Sequence, residues 1–413
     1  MKNRKIIVIG AGPAGMIAAI RAKELGQEVV LIEKNASPGA KIILSGKGRC
    51  NLTNTADLES FLSRFSRQGQ FLRDAFKKFF HPELIRFFED RGLKIKVERQ
   101  LRAFPVTDDS KSILEILKKE LESAKVKIIL GRAAKDIIVK DGRVTGVLLD
   151  KGEILLCDRL IIATGGVTYS FTGSTGDGIN WARKLGHHIT ELRPGLVPLE
   201  VRQQYPRKLE GLTLKNIRLI FSSGKNKITS EIGELLFTRS GVSGPLALTL
   251  SGRIVDWIKD KRNVSLEIDL KPGLSPEQLN ARLQREFLAN SRRDLKNALK
   301  ELLPARLIDV CISCLGIPPG KKAAYLTHEE RKKMVDWLKG FPMDISGFRP
   351  TQEAMITRGG VSLKNIDPRT MESRLIKGLY FCGEMIDVDA DTGGFNLQAA
   401  FSTGYLAGES AAQ

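Results

Sequence analysis

The chain has 413 residues, of which 42% are hydrophobic, enough for two or three domains with their own cores. Lys and Arg total 66 against 47 Asp and Glu, a net charge of +19; an enzyme of small metabolites has no use for that excess, whereas a polyanionic partner does, because each phosphate contact releases counterions. No 18 apolar residues run together, and the first apolar run is too short for a signal segment and is broken at Gly10, so a cytoplasmic protein with no membrane partner is expected.

Residues 5–15, KIIVIGAGPAG, carry a β-branched strand into Gly10, Gly12 and Gly15, and an Ala-rich helical pattern follows. Glycines at that spacing turn the chain sharply, let the backbone approach a pyrophosphate and pack the helix on the strand, while the helix N-terminus aims free N–H groups at the phosphates. A second strand, 28–33, ends in Glu33, placed to bind an adenosine ribose hydroxyl, which favours FAD or NAD over NADP. Residues 37–51 read as a loop and 57–92 as helical. A second amphipathic helix is expected over 110–124, capped by Ser110. Segments 125–130, 133–140 and 144–149 are strand-like, with a turn at Asp141-Gly142. The buried-strand run 157–163 ends in Thr164-Gly165-Gly166, and Asp177 lies between two glycines where a helix over 179–186 begins.

From 192 to 349 the pattern changes. Strand-like segments at 196–202, 215–221 and 263–270 precede a basic helical stretch over 275–340. Residues 350–413 return to the Gly-rich style, with a strand-turn at 379–384 and a helix opening at Gly393-Gly394. The reading is a discontinuous cofactor domain (1–191 with 350–413), an inserted β-rich domain (192–274 with 341–349) and a small helical domain (275–340). Nucleotide-style glycines near both chain ends suit one long cofactor, FAD. A single GxGxxG leaves no dedicated NAD(P)H domain, so NADH or NADPH would act as a transient reductant.

Five cysteines (50, 157, 311, 314, 382) fit a reducing compartment. Cys311 and Cys314 form a CxxC without a second pair, so a structural role competes with a redox or metal role, and no metal site is expected. His187 and His188, with no carboxylates placed around them, read as surface or core. Residues 201–262 hold 12 basic and 5 acidic residues, a candidate anion-binding face, although aromatic residues for base stacking are few.

The strings GAGPAG (10–15), SGKGRCNLTN (45–54), ATGG (163–166), TGSTGDG (172–178), GELLFTRSGVSGP (233–245) and GEMIDVDADTGGFNLQ (383–398) together resemble the BaiN/RdsA (YhiN-type) family of FAD-dependent oxidoreductases. The resemblance covers essentially the whole chain, and the SGKGRCN and TGGFNLQ strings are its specific part. It implies an α/β fold: a Rossmann-like FAD domain of the two-dinucleotide-binding flavoprotein type, an inserted β-barrel-like domain and a small helical domain. It also implies non-covalent FAD. The expected cofactor residues are Gly10, Gly12, Pro13, Ala14 and Gly15, then Glu33, Lys34 and Lys41. Gly48, Arg49, Cys50 and Asn51 follow, then Ala163, Thr164, Gly165, Gly166 and Asp177, and lastly Gly383, Glu384, Gly394, Phe395, Asn396 and Leu397.

Several of these residues have two readings. Cys50 is either an acid tuned by Arg49 and Lys47 or a packed thiol. Lys47 and Arg49 hold either cofactor phosphates or substrate. Asp177 caps its helix or touches FAD, Arg239 faces substrate or serves a turn, and Glu384 binds a ribityl hydroxyl or starts a surface helix. Asn51 and Asn396 suit the carbonyls and nitrogens of the isoalloxazine ring.

The family implies addition of hydride and a proton across a conjugated C=C, in a bile-acid steroid or in ribosomal RNA, where uridine becomes dihydrouridine. The charge favours large-subunit (23S) rRNA or a ribosomal precursor particle as partner, and no stable protein partner is evident. The alternatives are a small-enone reductase and an RNA-binding flavoprotein without turnover.

Overall fold

The computed structural model describes residues 3–66 and 68–413. The chain forms two compact units, one running up to Gly195 and resuming over Thr351–Gln413, the other Leu196–Pro350.

In chain order the first unit begins with β1 (Lys5–Ile9), α1 (Pro13–Glu24), β2 (Glu28–Glu33), α2 (Ala40–Leu44) and β3 (Thr53–Asn54). Next come α3 (Leu58–Leu62), α4 (Arg73–Lys78), α5 (His81–Glu89), β4 (Ile95–Val97), β5 (Arg102–Pro105) and α6 (Ser110–Ser123). β6 (Lys127–Leu130), β7 (Ala134–Lys140), β8 (Arg143–Leu149), β9 (Ile154–Leu156), β10 (Arg159–Ile162), α7 (Asp177–Lys184) and β11 (Ile189–Gly195) complete the N-terminal part.

Some of these elements differ from expectation. The stretch 37–51 is not all loop: Gly39, at φ +74°, starts α2, and a 3-10 turn follows over Ser45–Gly48. The stretch 57–92 is three helices, because Pro82 starts a fresh one at α5. α6 is capped by Asp109, whose carboxylate accepts from Lys111 N–H at 2.9 Å, while the Ser110 hydroxyl donates to Ile43 O.

The second unit contains β12 (Leu199–Val201), α8 (Pro206–Leu209), β13 (Thr213–Ser223), β14 (Asn226–Thr229), β15 (Gly233–Thr238) and β16 (Gly241–Ser243). It continues through α9 (Pro245–Lys259), β17 (Val264–Asp269), α10 (Pro276–Ala289), α11 (Leu295–Ala298), α12 (Ala305–Leu315), α13 (His328–Lys339) and β18 (Phe341–Phe348). β13 is long enough to pair with β14, β15 and β17, which closes β13-β15-β16-β12-β18-β17 into an antiparallel barrel. Its edges vanish by closure. The helices cover it, and α10 and α13 both open with capping boxes, Ser275/Gln278 and Thr327/Glu330.

The first unit resumes with β19 (Ile356–Val361), β20 (Leu379–Phe381) and α14 (Phe395–Ala412). β11 pairs with β19, so the unit boundaries fall at 195/196 and 350/351 rather than 191/192 and 349/350. Its main sheet is parallel throughout, in the order β20-β10-β1-β2-β6. Strands buried on both faces read as apolar runs, as KIIVI and RLII do after their half-buried first residues, Lys5 and Arg159.

α14 lies along α1 in the same direction. A Cβ on Gly404 would stand 2.2 Å from Ala14 O, and one on Gly408 2.3 Å from Ala18 O. Arg21 pairs with Glu409 at 2.7 Å, and Gln27 reaches Ala412 O. Burial pushes the Glu409 carboxyl up, but its bonds from Arg21 and Lys78 outweigh that and hold it below the usual range. Gly404→Ala is therefore expected to cost about 1–3 kcal/mol by overpacking. Gly320→Ala, which meets nothing within 4 Å, should stay within about 0.5 kcal/mol. Denaturant titration of the two variants checks this.

Candidate functional site

The strand order places β2 on one side of β1 and β10 on the other. Loops leaving β1 and β10 therefore diverge at their carboxyl ends and open a crevice, the place where α/β sheets bind nucleotides. Gly10 follows β1 at φ +100°, and a Cβ there would lie 2.6 Å from Ala163 O in the loop after β10. A Cβ on Gly15 would stand 1.8 Å from Gly10 O. Gly12 differs: a Cβ there meets nothing within 4 Å. Open space thus lies against the backbone at the start of α1, where the first N–H groups have no partner within the helix.

Glu33 closes β2 and is mostly buried. Its Oε2 accepts from Ala11 N–H at 2.8 Å and its Oε1 from Asn35 N–H at 2.9 Å. Lys34 Nζ reaches Thr175 Oγ1 at 2.5 Å and Asp177 Oδ2 at 2.8 Å. Asp177 is consequently not a helix cap. Gly176 occupies the cap position, and the Asp177 carboxylate is spent on Lys34. Thr164 offers only its backbone to the crevice, since its Oγ1 is buried toward α7, 2.3 Å from where a Gly178 Cβ would be.

Glu384 joins three segments. Its Oε1 accepts from Thr168 Oγ1 (3.1 Å) and Thr357 N–H (2.8 Å), and its Oε2 pairs with Lys41 Nζ at 2.5 Å. Gly166 must be glycine, because a Cβ would strike Thr357 Oγ1 at 2.1 Å. Thr168 and Thr357 were missed in the sequence; Thr357 is an isolated threonine with no motif to mark it. Gly383, at φ +72°, turns the chain into Glu384 beside Ala14.

α14 opens at Gly394, φ +97°, where a Cβ would meet Thr53 O at 2.4 Å. The amides of Phe395, Asn396 and Leu397 form its first turn. α14 starts nine residues before Gly404 and α1 one before Ala14, so the N-terminus of α14 leads by eight residues, about 12 Å at 1.5 Å per residue. Two helix N-termini pointing the same way, offset along one crevice, form two separate anion-favouring stations. Phosphates suit the first and a ring with polar carbonyls the second. Open space at Gly12, a carboxylate at the end of β2 and this second station fit FAD.

Several expected contacts are spent elsewhere. The Asn51 amide, oriented by its neighbours, donates to Thr53 O and Ala103 O and accepts from Gly394 N–H at 3.1 Å. Asn396 binds Ala390 N–H and O and Asp391 O. Both asparagines brace the N-terminus of α14 instead of presenting free amides to a flavin. The Phe395 ring packs on Phe61, centroids 4.7 Å apart, so only its backbone serves the site. Arg49 reaches Glu98 and Asp108, both at 2.5 Å, and covers the Phe104 ring. Arg49 holds the Glu98 carboxyl below its usual range, and Lys96 followed by Arg49 does so for Asp108. Arg49 therefore clamps Glu98 and Asp108 together. Lys47 and Gly48 lie in the exposed 3-10 turn before it. Arg239 stands in the two-residue turn between β15 and β16.

Cys50 is 0% exposed, and burial drives its thiol up to about 11, partly offset by Ser45. The thiol is packed inside, and Arg49 beside it is committed to Glu98 and Asp108. Cys311 is buried and Cys314 exposed on α12; both are free, and no metal-ligating cluster occurs among the described residues. His187 is buried, bonded to Ser373 and Ala182 O, and its burial holds it below the usual value. No helix among the described residues is long and apolar enough to cross a membrane.

The family profile described as HI0933-like protein Rossmann domain matches residues 4–410. The chain belongs to this HI0933-like family. It is 30% identical over 412 residues to a 3-dehydro-bile acid delta(4,6)-reductase of Clostridium scindens, covering 99% of each chain. It is 31% identical over 405 residues to a ribosomal RNA dihydrouridine synthase of Haemophilus influenzae, covering 97% of this chain and 96% of that one. The 3-ketosteroid-delta4-(5alpha)-dehydrogenase of Rhodococcus jostii RHA1 shares the fold, with a TM-score of 0.52 at 16% identity over 100% of this chain and 97% of that one. This HI0933-like chain is thus an α/β protein with a Rossmann-like FAD-type domain and an inserted barrel.

Two measurements check the site. Gly12→Ala should fold with a loss of about 1 kcal/mol or less yet bind FAD at least about tenfold more weakly, whereas Gly10→Ala should not fold stably. In native protein at pH 8, Ellman's reagent should label one thiol per chain quickly, and Cys314→Ser should remove it; rapid labelling of Cys50 would contradict its burial.

Proposed function

We propose that this chain is an FAD-dependent oxidoreductase that adds hydride and a proton across a conjugated C=C, with uridine of large-subunit ribosomal RNA as substrate and dihydrouridine as product. The observation that carries the choice of RNA is the net charge of +19. Similarity alone does not decide between the two relatives, at 30% and 31% identity. A polyanion rewards the charge, since each neutralised phosphate releases counterions, and a steroid does not.

FAD, once bound and reduced, supplies the hydride. The protein's part is to hold and to orient. The first turn of α1 and the open backbone at Gly12 hold phosphates; Glu33 holds a ribose. The first turn of α14 favours negative charge at the ring end, braced by Asn51 and Asn396. The Lys41–Glu384 pair, with Thr168, ties the loop after β10 to the turn before α14, so the two stations keep their spacing. NADH or NADPH is the proposed reductant, binding transiently, since the chain holds a single GxGxxG. Cys50 is given a packing role.

The test is anaerobic. Reduced protein is mixed with large-subunit rRNA from a strain lacking this gene, and flavin absorbance is followed together with dihydrouridine content. Reoxidation with new dihydrouridine is expected, and Cys50→Ala should keep at least about a third of the rate. No reoxidation with RNA, but reoxidation with a 3-keto-Δ4 steroid, would replace this reading with that of a small-enone reductase.

A further inference from the structure

The tip of the β4–β5 hairpin is built against its own backbone preferences. Gln100 and Leu101 are consecutive non-glycine residues in the left-handed region, at φ +61° and +59°. Side chains rarely adopt that conformation, and two in a row persist only where the surroundings over-determine them. Here they do. Glu98 N–H donates to Arg102 O at 2.8 Å across the tip, and Arg102 Nε donates to Arg99 O. Leu101 O accepts from Thr55 N–H at 2.8 Å. Gln100 O accepts from Asn54 Nδ2 at 2.9 Å, and the same Nδ2 reaches Gly393 O at 3.3 Å. The Arg49 clamp fixes the hairpin from its other side through Glu98.

All this rigidity serves to hold an apolar side chain out in water. Leu101 is 49% exposed and Val97 53% exposed. Neither fills a core, and a polar residue or glycine would be the ordinary choice at such a tip. The tip is also tied to the turn that opens α14: Asn54 bridges Gln100 to Gly393, and Gly394 lies against Thr53. Leu101 therefore stands at a fixed position beside the ring end of the crevice. Arg99 lies two residues before Leu101 in the same turn, and Lys47 two residues before the Arg49 that grips Glu98; both side chains are exposed and form no ion pair among the described residues. A rigid apolar point flanked by free cations matches one kind of partner, a stacked nucleic acid whose phosphates meet the cations.

A uridine inside a folded RNA cannot present its ring to a reductant while stacked, so it must leave the stack, and the gap favours an apolar wedge. We propose that Leu101 is this wedge: it enters the base stack at the position the target uridine vacates, while Lys47 and Arg99 contact the flanking phosphates. This inference rests on the RNA reading above. Leu101 is a positioning residue, which acts on the base without touching the reacting atoms.

The test compares the wild-type protein with Leu101→Gly, Leu101→Met and Leu101→Lys, each carrying FAD, on large-subunit rRNA lacking the modification. Glycine removes the wedge and relieves the left-handed strain, so FAD content and thermal midpoint should be unchanged or higher. The single-turnover rate of dihydrouridine formation at saturating RNA should fall at least about tenfold, while RNA affinity, carried by phosphate contacts, changes less than about threefold. Methionine should restore most of the rate and lysine should not. A Leu101→Gly protein with the wild-type rate overturns the wedge alone, and so does one that loses FAD, since Leu101 would then be a cofactor contact. A wild-type protein that forms no dihydrouridine at all overturns the RNA reading and the wedge with it.

Discussion

The spacing between the two helix N-termini depends on a contact between backbones. Gly404 and Gly408 let α14 lie directly on Ala14 and Ala18 of α1, with no side chain between them. That closeness fixes the axial register of the two helices, and the register sets how far α14 projects beyond α1. The projection in turn creates two stations along one crevice. A side chain at either glycine would separate the helices by more than the tight packing of an interior tolerates. The Arg21–Glu409 pair and the reach of Gln27 to Ala412 O reinforce the register from the distal end. Segments almost 400 residues apart thus behave as one structural element.

The ionic interactions around the crevice are mostly internal ties. Lys34 closes on Asp177, Lys41 on Glu384, and Arg49 on Glu98 and Asp108. Each joins segments distant in sequence. Exposed pairs of this kind contribute little to stability individually, so their value here is geometric: they hold loops whose backbone makes the site. A site made of backbone amides at helix starts is rigid, and so suited to a cofactor that stays while substrates come and go.

The parts of this architecture visible in the sequence were those fixed by local rules. GAGPAG between a β-branched run and an Ala-rich run permits few other structures, and the parallel strands announced themselves as unbroken apolar runs. The placement of Glu33 follows from the second strand, which it ends, and from its offset from the glycine motif. What sequence could not supply was partner choice. Asn51 and Asn396 have the right chemistry for a flavin, yet backbone groups of β3, β5 and the 390–391 turn claim them first. Arg49 looked free because Glu98 and Asp108 lie about 50 and 60 residues away. Cys50 looked reactive beside two cations because its burial is a tertiary fact. Asp109 took the cap expected of Ser110, a one-residue shift that side-chain geometry decides. The sequence does carry one further signal: Gly404-Tyr-Leu-Ala-Gly408 spaces two glycines one helical turn apart, the pattern of a helix that must approach another closely.

The most direct test of the account is an experimental structure of the protein with FAD bound, in which two positions are measured. If the helix register sets the site, the pyrophosphate lies within hydrogen-bond distance of the backbone at Gly12–Gly15, and a carbonyl of the isoalloxazine ring lies within that distance of an amide among Phe395–Leu397. An isoalloxazine ring placed away from the start of α14, with the glycine contact between α1 and α14 intact, would contradict it.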